Sequence, residues 1–486
     1  MHEKPQNYPQ SPQALWNIFY DFTQTPRPSK KEAKILAYLE DIAKKNALSY
    51  QYDEAGNVII YVPGKNGREN DPSLLIQNHV DMVTDCLPHI DIDFEKDPLE
   101  LIVKDGYLTA NGTTLGADNG IGCAAALATI FQKDLSHPPL ELLFTIDEET
   151  GLNGAQGLEG KYLKSKRMLN LDTEEWGSVY IGCAGGIDYE LTGSLNTKKA
   201  PSHLSFYEIG VSGFIGGHSG LDIHEQRANA IQFMAEFLDE LQDKLDFKLA
   251  EIRGGKAHNI IPRDCFAIVA IEEKDIEACE ELLNGLLSRW KNFLPKEDQN
   301  AQTYIKNHSH NELLVMDEQE QQSLIELILL FPHGAHSYDV QDRSLVGVSN
   351  NFARLLLVDS KLYIQSSLRF FDRKEVMSLE KRIKSLGRMF GLEVSSNSEY
   401  PSWKPQRESK LLEKVKAIYQ ELYGEFPAIK AIHAGLECGI LREKLGDVEV
   451  VSFGPTITGA HSPDEMVDIE SVKHFWQFFC KVLAEV

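Results

Sequence analysis

Apolar residues recur at helical spacing over residues 11–22 and again over residues 29–46, where Ser29 stands in position to cap the second helix. The pattern then shifts to short strand-like runs. Residues 50–52 and 57–62 read as strands joined by the turn "DEAGN", and residues 73–77 as a third that runs into "NHVDMV". A glycine-rich turn, "LGADNGIG", feeds an apolar helix over residues 121–131. Two more apolar runs end in acid: "LLFTIDEETG" reaches Asp147, Glu148 and Glu149, and "RMLNLD" reaches Asp172. Strands that alternate with helices and carry polar residues at their carboxyl ends predict an open α/β sheet with its site along that edge.

From residue 198 the rhythm changes. "LSFYEIGVSG", a helix over 225–245, "DFKLAEIRG", "CFAIVAIEE" and a helix over 276–293 form a β-α-β-β-α run. A related set follows over residues 318–330, 345–370 and 374–390, so two ferredoxin-like units in tandem are expected, as an insert. After "LEVSSNSEYPSWKP" the pattern returns to a helix, "ESKLLEKVKAIYQELYG", and a strand, "DVEVVSFGP". The expected domains are therefore a first domain in two segments, 1–197 and 396–486, and an insert over 198–395.

Charge narrows the partners. The chain has 49 basic and 73 acidic residues, a net charge of −24 spread along its length, which would repel nucleic acid and anionic membrane surfaces. The start lacks a charged-then-apolar signal pattern, and no apolar run approaches a membrane span. The seven cysteines are scattered, odd in number and never paired as CxxC, which suits buried thiols in a reducing compartment. A cytoplasmic protein is expected, with no nucleic acid and no membrane as partner.

Three adjacent carboxylates at Asp147–Glu149 need positive charge nearby. Other candidate ligands stand at strand ends or in adjacent loops: His79, Asp118, Asp172, and His461 in "GAHSPDE". Two imidazoles and several carboxylates without thiolates suit zinc, cobalt or manganese, and a pair of divalent ions sharing a carboxylate needs about this set. His79 and Asp81 are two apart, so in extended chain both leave the same face, and Asp81 can accept a hydrogen bond from the imidazole nitrogen that does not face a metal. Glu148 and Glu149 leave one backbone in different directions, giving one ligand and one base. His433 and Glu437 in "IHAGLECG" are four apart, which fits either a metal-binding helix face or a glycine-rich loop.

The strings "NHVDMV", "GADNGIG", "DEETG", "LDTEE" and "GAHSPDE" resemble those of the M20 metallopeptidases, and "GGHSG", "KAHNIIP" and "IHAGLECG" resemble its aminoacyl-histidine dipeptidase branch. The resemblance implies a zinc-peptidase-type catalytic domain, with a central mixed sheet flanked by helices, and an inserted α+β lid domain that also dimerises. It implies two divalent metal ions, zinc first with cobalt or manganese able to substitute. His79, Asp118 and Asp172 would hold one, and Asp118, Glu149 and His461 the other. Glu148 would be the general base and Asp81 the orienter of His79, with a cis peptide after Asp118. In the insert, His218 would stabilise the oxyanion, while Asn259 and Arg369 bind the substrate's terminal carboxylate.

The implied reaction is hydrolysis of unblocked dipeptides, Xaa-His and β-alanyl-histidine (carnosine) among them, by a homodimer. An N-acyl-amino-acid deacylase would use the same chemistry. A non-catalytic, metal-stabilised binding protein would have a broken base or ligand, and none is broken here.

Overall fold

In a computed structural model, residues 2–309 and 313–486 are described. Contacts divide the chain into two units: Met1–Cys183 with Trp403–Ala431 and Leu436–Val486, and Ala184–Ser402 with Ile432–Gly435.

The first unit is built on an eight-stranded mixed sheet. Its order is Ser49–Tyr52, Val58–Val62, Leu140–Thr145, Leu74–His79, Arg167–Asn170, Glu449–Ser452, Ser178–Cys183 and Ala428–Ile432. The four middle strands are parallel, with His79 opposite Thr145 and Gln77 opposite Asn170. Leu74–His79 and Leu140–Thr145 are buried along their whole length, which is why residues 74–76 and 142–144 read as apolar runs without alternation, and the polar side chains of Gln77, Asn78, His79 and Glu141 are buried with them. Parallel strands in register bring the segments after His79, Thr145 and Asn170 to one edge. A smaller four-stranded sheet pairs Ile457–Thr458, Met466–Asp468, Tyr107–Ala110 and Leu101–Lys104. The loop carrying His461 joins its first two strands, which are antiparallel neighbours.

The helix Ala117–Phe131 starts irregularly. Gly116 before it has φ +67°, the Asp118–Asn119 peptide is cis, and both of those residues lie outside helical φ/ψ. Gly122 lets this helix approach the strand ends, since a Cβ there would sit 2.3 Å from Asn78 Oδ1 and 2.6 Å from the Leu171 carbonyl oxygen. The second helix runs over Ala33–Lys45, four residues later than its apolar spacing suggests. Ser29 does not cap it, because its hydroxyl donates to Asp81 Oδ2 at 2.8 Å instead.

The second unit holds a nine-stranded sheet, and its pairing resolves into two βαββαβ units. One comprises Ser205–Ser212, helix Ala230–Gln242, Phe247–Gly254, Cys265–Ile271, helix Ile276–Lys291 and Gln302–Asn307. The other takes Gly185–Ser194 as its first strand, then helix Glu318–Leu330, Val346–Val358, Lys361–Phe370, helix Met377–Met389 and Glu393–Tyr400. They join edge to edge where Ile252–Gly254 pairs with Leu355–Leu357. The two units are thus nested, not in tandem: the first is inserted between the opening strand and first helix of the second.

The four helices share one core with the sheet. Phe233 lies in that core, 5.2 Å from Trp290 and 5.8 Å from Phe214 between ring centroids. Phe233→Ala is expected to cost this core about 3–5 kcal/mol, read as a lower denaturant midpoint.

Among the described residues no helix is long and apolar enough to cross a membrane. All seven cysteines are unpaired.

Candidate metal centre

Three segments leaving the parallel strands meet the start of the Ala117–Phe131 helix and the loop bearing His461. Asp118 lies between two imidazoles: its Oδ1 is 3.0 Å from His79 Nε2 and its Oδ2 3.1 Å from His461 Nε2. Asp172 Oδ1 lies 3.3 Å from His79 Nε2, and Glu149 Oε2 lies 3.1 Å from His461 Nε2. Two groups therefore share Asp118, namely His79–Asp118–Asp172 and Asp118–Glu149–His461, each with ligand atoms within 4.8 Å of one another. Glu148 joins a third such group with His79 and Glu149.

The electrostatics call for a cation. Burial and the charges of Asp118 and Glu149 push Asp172 up to about 6, against the pull of His79. Burial, with Glu149, Asp172 and Glu437 adding to it, lifts Glu148 well above the ordinary carboxylate range. Burial alone would lower His79, but Asp172, Asp118 and Asp81 outweigh it and raise the imidazole well above its usual value. Hydrogen bonds to Asp118 and Glu149 push His461 up to about 11. Glu149 Oε1 is buried without a hydrogen-bond partner. Two imidazoles, converging carboxylate oxygens and an unsatisfied buried oxygen fit divalent ions of the zinc type.

Asp81 does more than face His79. Its Oδ1 is 3.5 Å from His79 Nδ1, at the outer limit of a hydrogen bond. The same carboxylate accepts the main-chain N–H of Glu148 at 3.1 Å and of Glu149 at 3.2 Å, along with the Ser29 hydroxyl. Asn57 holds the far side of that acidic loop, donating to the Gly154 carbonyl at 2.8 Å and accepting from the Ile146 N–H at 3.2 Å.

Several contacts around the site were not visible in the sequence. Buried Arg27 donates to the carbonyls of Val80, Asp81 and Gly116. Glu437, fully buried, accepts from Gln77 Nε2 at 2.5 Å and Thr145 Oγ1 at 2.6 Å, and burial first of all pushes it up to about 8. Glu465 accepts from four consecutive main-chain N–H groups, Leu115 to Asp118. Glu437 and Glu465 lie within the motifs "IHAGLECG" and "GAHSPDE", where Glu437 is a candidate together with His433, but neither motif gives a hint of these contacts.

His433 and Glu437 do not form a helix face, because the helix begins at Glu437 and His433 precedes it. Burial, helped by the charges of Arg369, His224 and His218, pushes His433 down to about 3, so it is neutral, with Nε2 2.7 Å from the Ser349 hydroxyl. Cys123 and Cys183 are buried, and burial raises them to about 12 and about 11, values that suit packing rather than nucleophilic attack.

Within the second unit, the segments bearing His218 and Asn259 run side by side. The Ser219 N–H donates to the Asn259 carbonyl at 2.8 Å, and a β-bridge between His218 and Ile260 adds to that hold. Arg369 is buried and reaches the Ser219 hydroxyl at 3.3 Å and the Tyr400 hydroxyl at 3.2 Å, with no carboxylate partner among the described residues. His218, Asn259 and Arg369 are thus neighbours within this unit.

The sequence profile of peptidase family M20/M25/M40 matches residues 75–485. The cytosol non-specific dipeptidase of Escherichia coli (strain K12) is 34% identical over 476 residues, covering 98% of each chain. The crystal structure of aminoacylhistidine dipeptidase from Vibrio alginolyticus superposes with a TM-score of 0.85 at 35% identity, covering 100% of this chain and 98% of that one. A tripeptidase from Staphylococcus aureus shares the fold, with a TM-score of 0.56 at 16% identity over 97% of each chain. The profile spans most of the chain and the Escherichia coli relative matches along nearly its whole length, so the chain belongs to peptidase family M20/M25/M40.

Proposed function

We propose that this chain is a dinuclear metal-dependent dipeptidase that hydrolyses unblocked dipeptides, Xaa-His and β-alanyl-histidine among them. The observation that carries the reading is Asp118, whose two oxygens face different imidazoles at 3.0 and 3.1 Å. His79, Asp118 and Asp172 would hold one ion, and Asp118, Glu149 and His461 the other. Zinc suits this set best, with cobalt or manganese able to substitute. Bound there, the ions would supply Lewis acidity and a water acidic enough to deprotonate near neutral pH.

The chain's own groups do the rest. Glu148 is the base: its carboxylate, buried among other acids, holds a proton more strongly than an ordinary one, which suits it to take a proton from water and pass it to the departing amine. Asp81 fixes the backbone of Glu148 and Glu149 while facing His79. Arg369, buried beside the hydroxyls of Ser219 and Tyr400, would pair with the substrate's terminal carboxylate, for which its planar fork is suited. Asn259 would assist it, and His218 would stabilise the oxyanion. The second unit would then act as a lid and as the dimer contact of a cytoplasmic homodimer. The names of the Escherichia coli and Vibrio alginolyticus relatives support dipeptides and Xaa-His as substrates.

A kinetic panel of Xaa-His, other dipeptides, tripeptides and N-acyl amino acids tests the reading. Unblocked dipeptides are expected to be cleaved, N-acyl substrates left intact, and activity lost on dialysis against a chelator and regained with zinc or cobalt. Preferential cleavage of N-acyl amino acids would make the chain a deacylase. Full activity after metal removal would end the metal reading altogether.

A further inference from the structure

His461 is the outlier of its group. Its side chain is 54% exposed, whereas those of Asp118 and Glu149 are 12% and 6% exposed. It sits on a loop outside regular secondary structure, with a positive φ of 63°. Four residues later in the same loop, Glu465 is only 2% exposed. Its Oε2 accepts from the N–H of Leu115 at 2.7 Å and Gly116 at 2.9 Å, and its Oε1 from the N–H of Ala117 at 2.8 Å and Asp118 at 3.3 Å. Its own backbone is fixed as well, since its N–H donates to the Ser462 carbonyl at 3.0 Å and its carbonyl accepts from the Thr109 hydroxyl at 2.7 Å.

The turn it grips is held from the other side by Arg27. That guanidinium donates to the Gly116 carbonyl, and to the carbonyls of Val80 at 2.8 Å and Asp81 at 2.9 Å, next to His79. An acid takes the turn's N–H groups while a base takes its carbonyl.

We propose that Glu465 is a positioning residue that seats the His461 loop on the Asp118 turn, bringing two ligands of one ion together through a carboxylate that touches no ion. The inference rests on the functional reading above. A glutamine at this position could not reproduce it, because its amide has one acceptor oxygen and its NH₂ would face N–H donors.

The test is calorimetric zinc titration of metal-free wild type, Glu465→Gln and Glu465→Asp, with thermal unfolding of the same metal-free proteins. Wild type is expected to take up two ions. Glu465→Gln is expected to bind one of them about 10–100-fold more weakly, and Glu465→Asp, which keeps the charge with shorter reach, to recover part of that loss. If Glu465→Gln does not fold, the comparison of Glu465→Asp with wild type carries the test, and equal affinities there would overturn the proposal. A lower metal-free unfolding temperature with both zinc affinities unchanged would reduce Glu465 to a fold-stabilising residue. A wild type that binds no pair of ions would sink the functional reading and this inference together, whereas two ions held equally tightly by wild type and Glu465→Gln would sink the inference alone.

Discussion

Glu148→Gln is expected to bind its two ions and yet turn over about 10²–10⁴-fold more slowly than wild type. The amide keeps the size of the carboxylate but cannot take up a proton at the relevant oxygen. Nothing else in the centre needs to move, because Asp81 holds residue 148 through its main-chain N–H rather than its side chain. The substitution takes one acid out of a crowded buried group, which weakens the pull on cations somewhat, but His79, Asp118, Asp172, Glu149 and His461 are all retained, so both ions should still bind. The loss should therefore fall on kcat, with KM little altered. Metal content and steady-state kinetics on the same preparation check both halves. Near-normal turnover with two ions bound would remove Glu148 from the base role.

The centre was legible where sequence pattern and chemistry coincide. Apolar runs that end abruptly in His79, in Glu148 and Glu149, or in Asp172 mark parallel strands whose carboxyl ends share an edge, and the structure brings those residues together. Residues that act through backbone groups were not legible. Glu465 accepts four main-chain N–H groups and Arg27 donates to three carbonyls, and backbone partners have no residue type to leave in the sequence. Ser29 before a helical pattern is chemically equivalent as a cap or as a partner of Asp81, and only the fold decides between them.

The nesting of the second unit was hidden for two different reasons. Its first strand, Gly185–Ser194, follows Ser178–Cys183 after a single residue, so the two strands run together in the pattern. Its last, Glu393–Tyr400, is a mostly exposed strand of polar residues at the sheet's edge, paired with Gly185–Ser194, and nothing in its composition sets it apart from a loop.

Asp118→Asn is expected to produce the largest loss of metal, because it is the one position that belongs to both ligand groups. The substitution keeps the shape of the side chain but removes its charge and turns one of two acceptor oxygens into a donor. One of the two imidazoles, His79 or His461, must then face an NH₂ where it now faces an oxygen at 3.0 or 3.1 Å. Zinc affinity should fall by more than the roughly 10–100-fold typical of changes outside the ligand set, and turnover with it. His461→Ala supplies the contrast, since it removes a ligand from one group only and leaves His79, Asp118 and Asp172 intact. With zinc buffered by a chelator and metal content measured per chain, His461→Ala should keep close to one ion under conditions where Asp118→Asn keeps less than one. Equal retention by the two variants would mean that Asp118 is not shared between the ions.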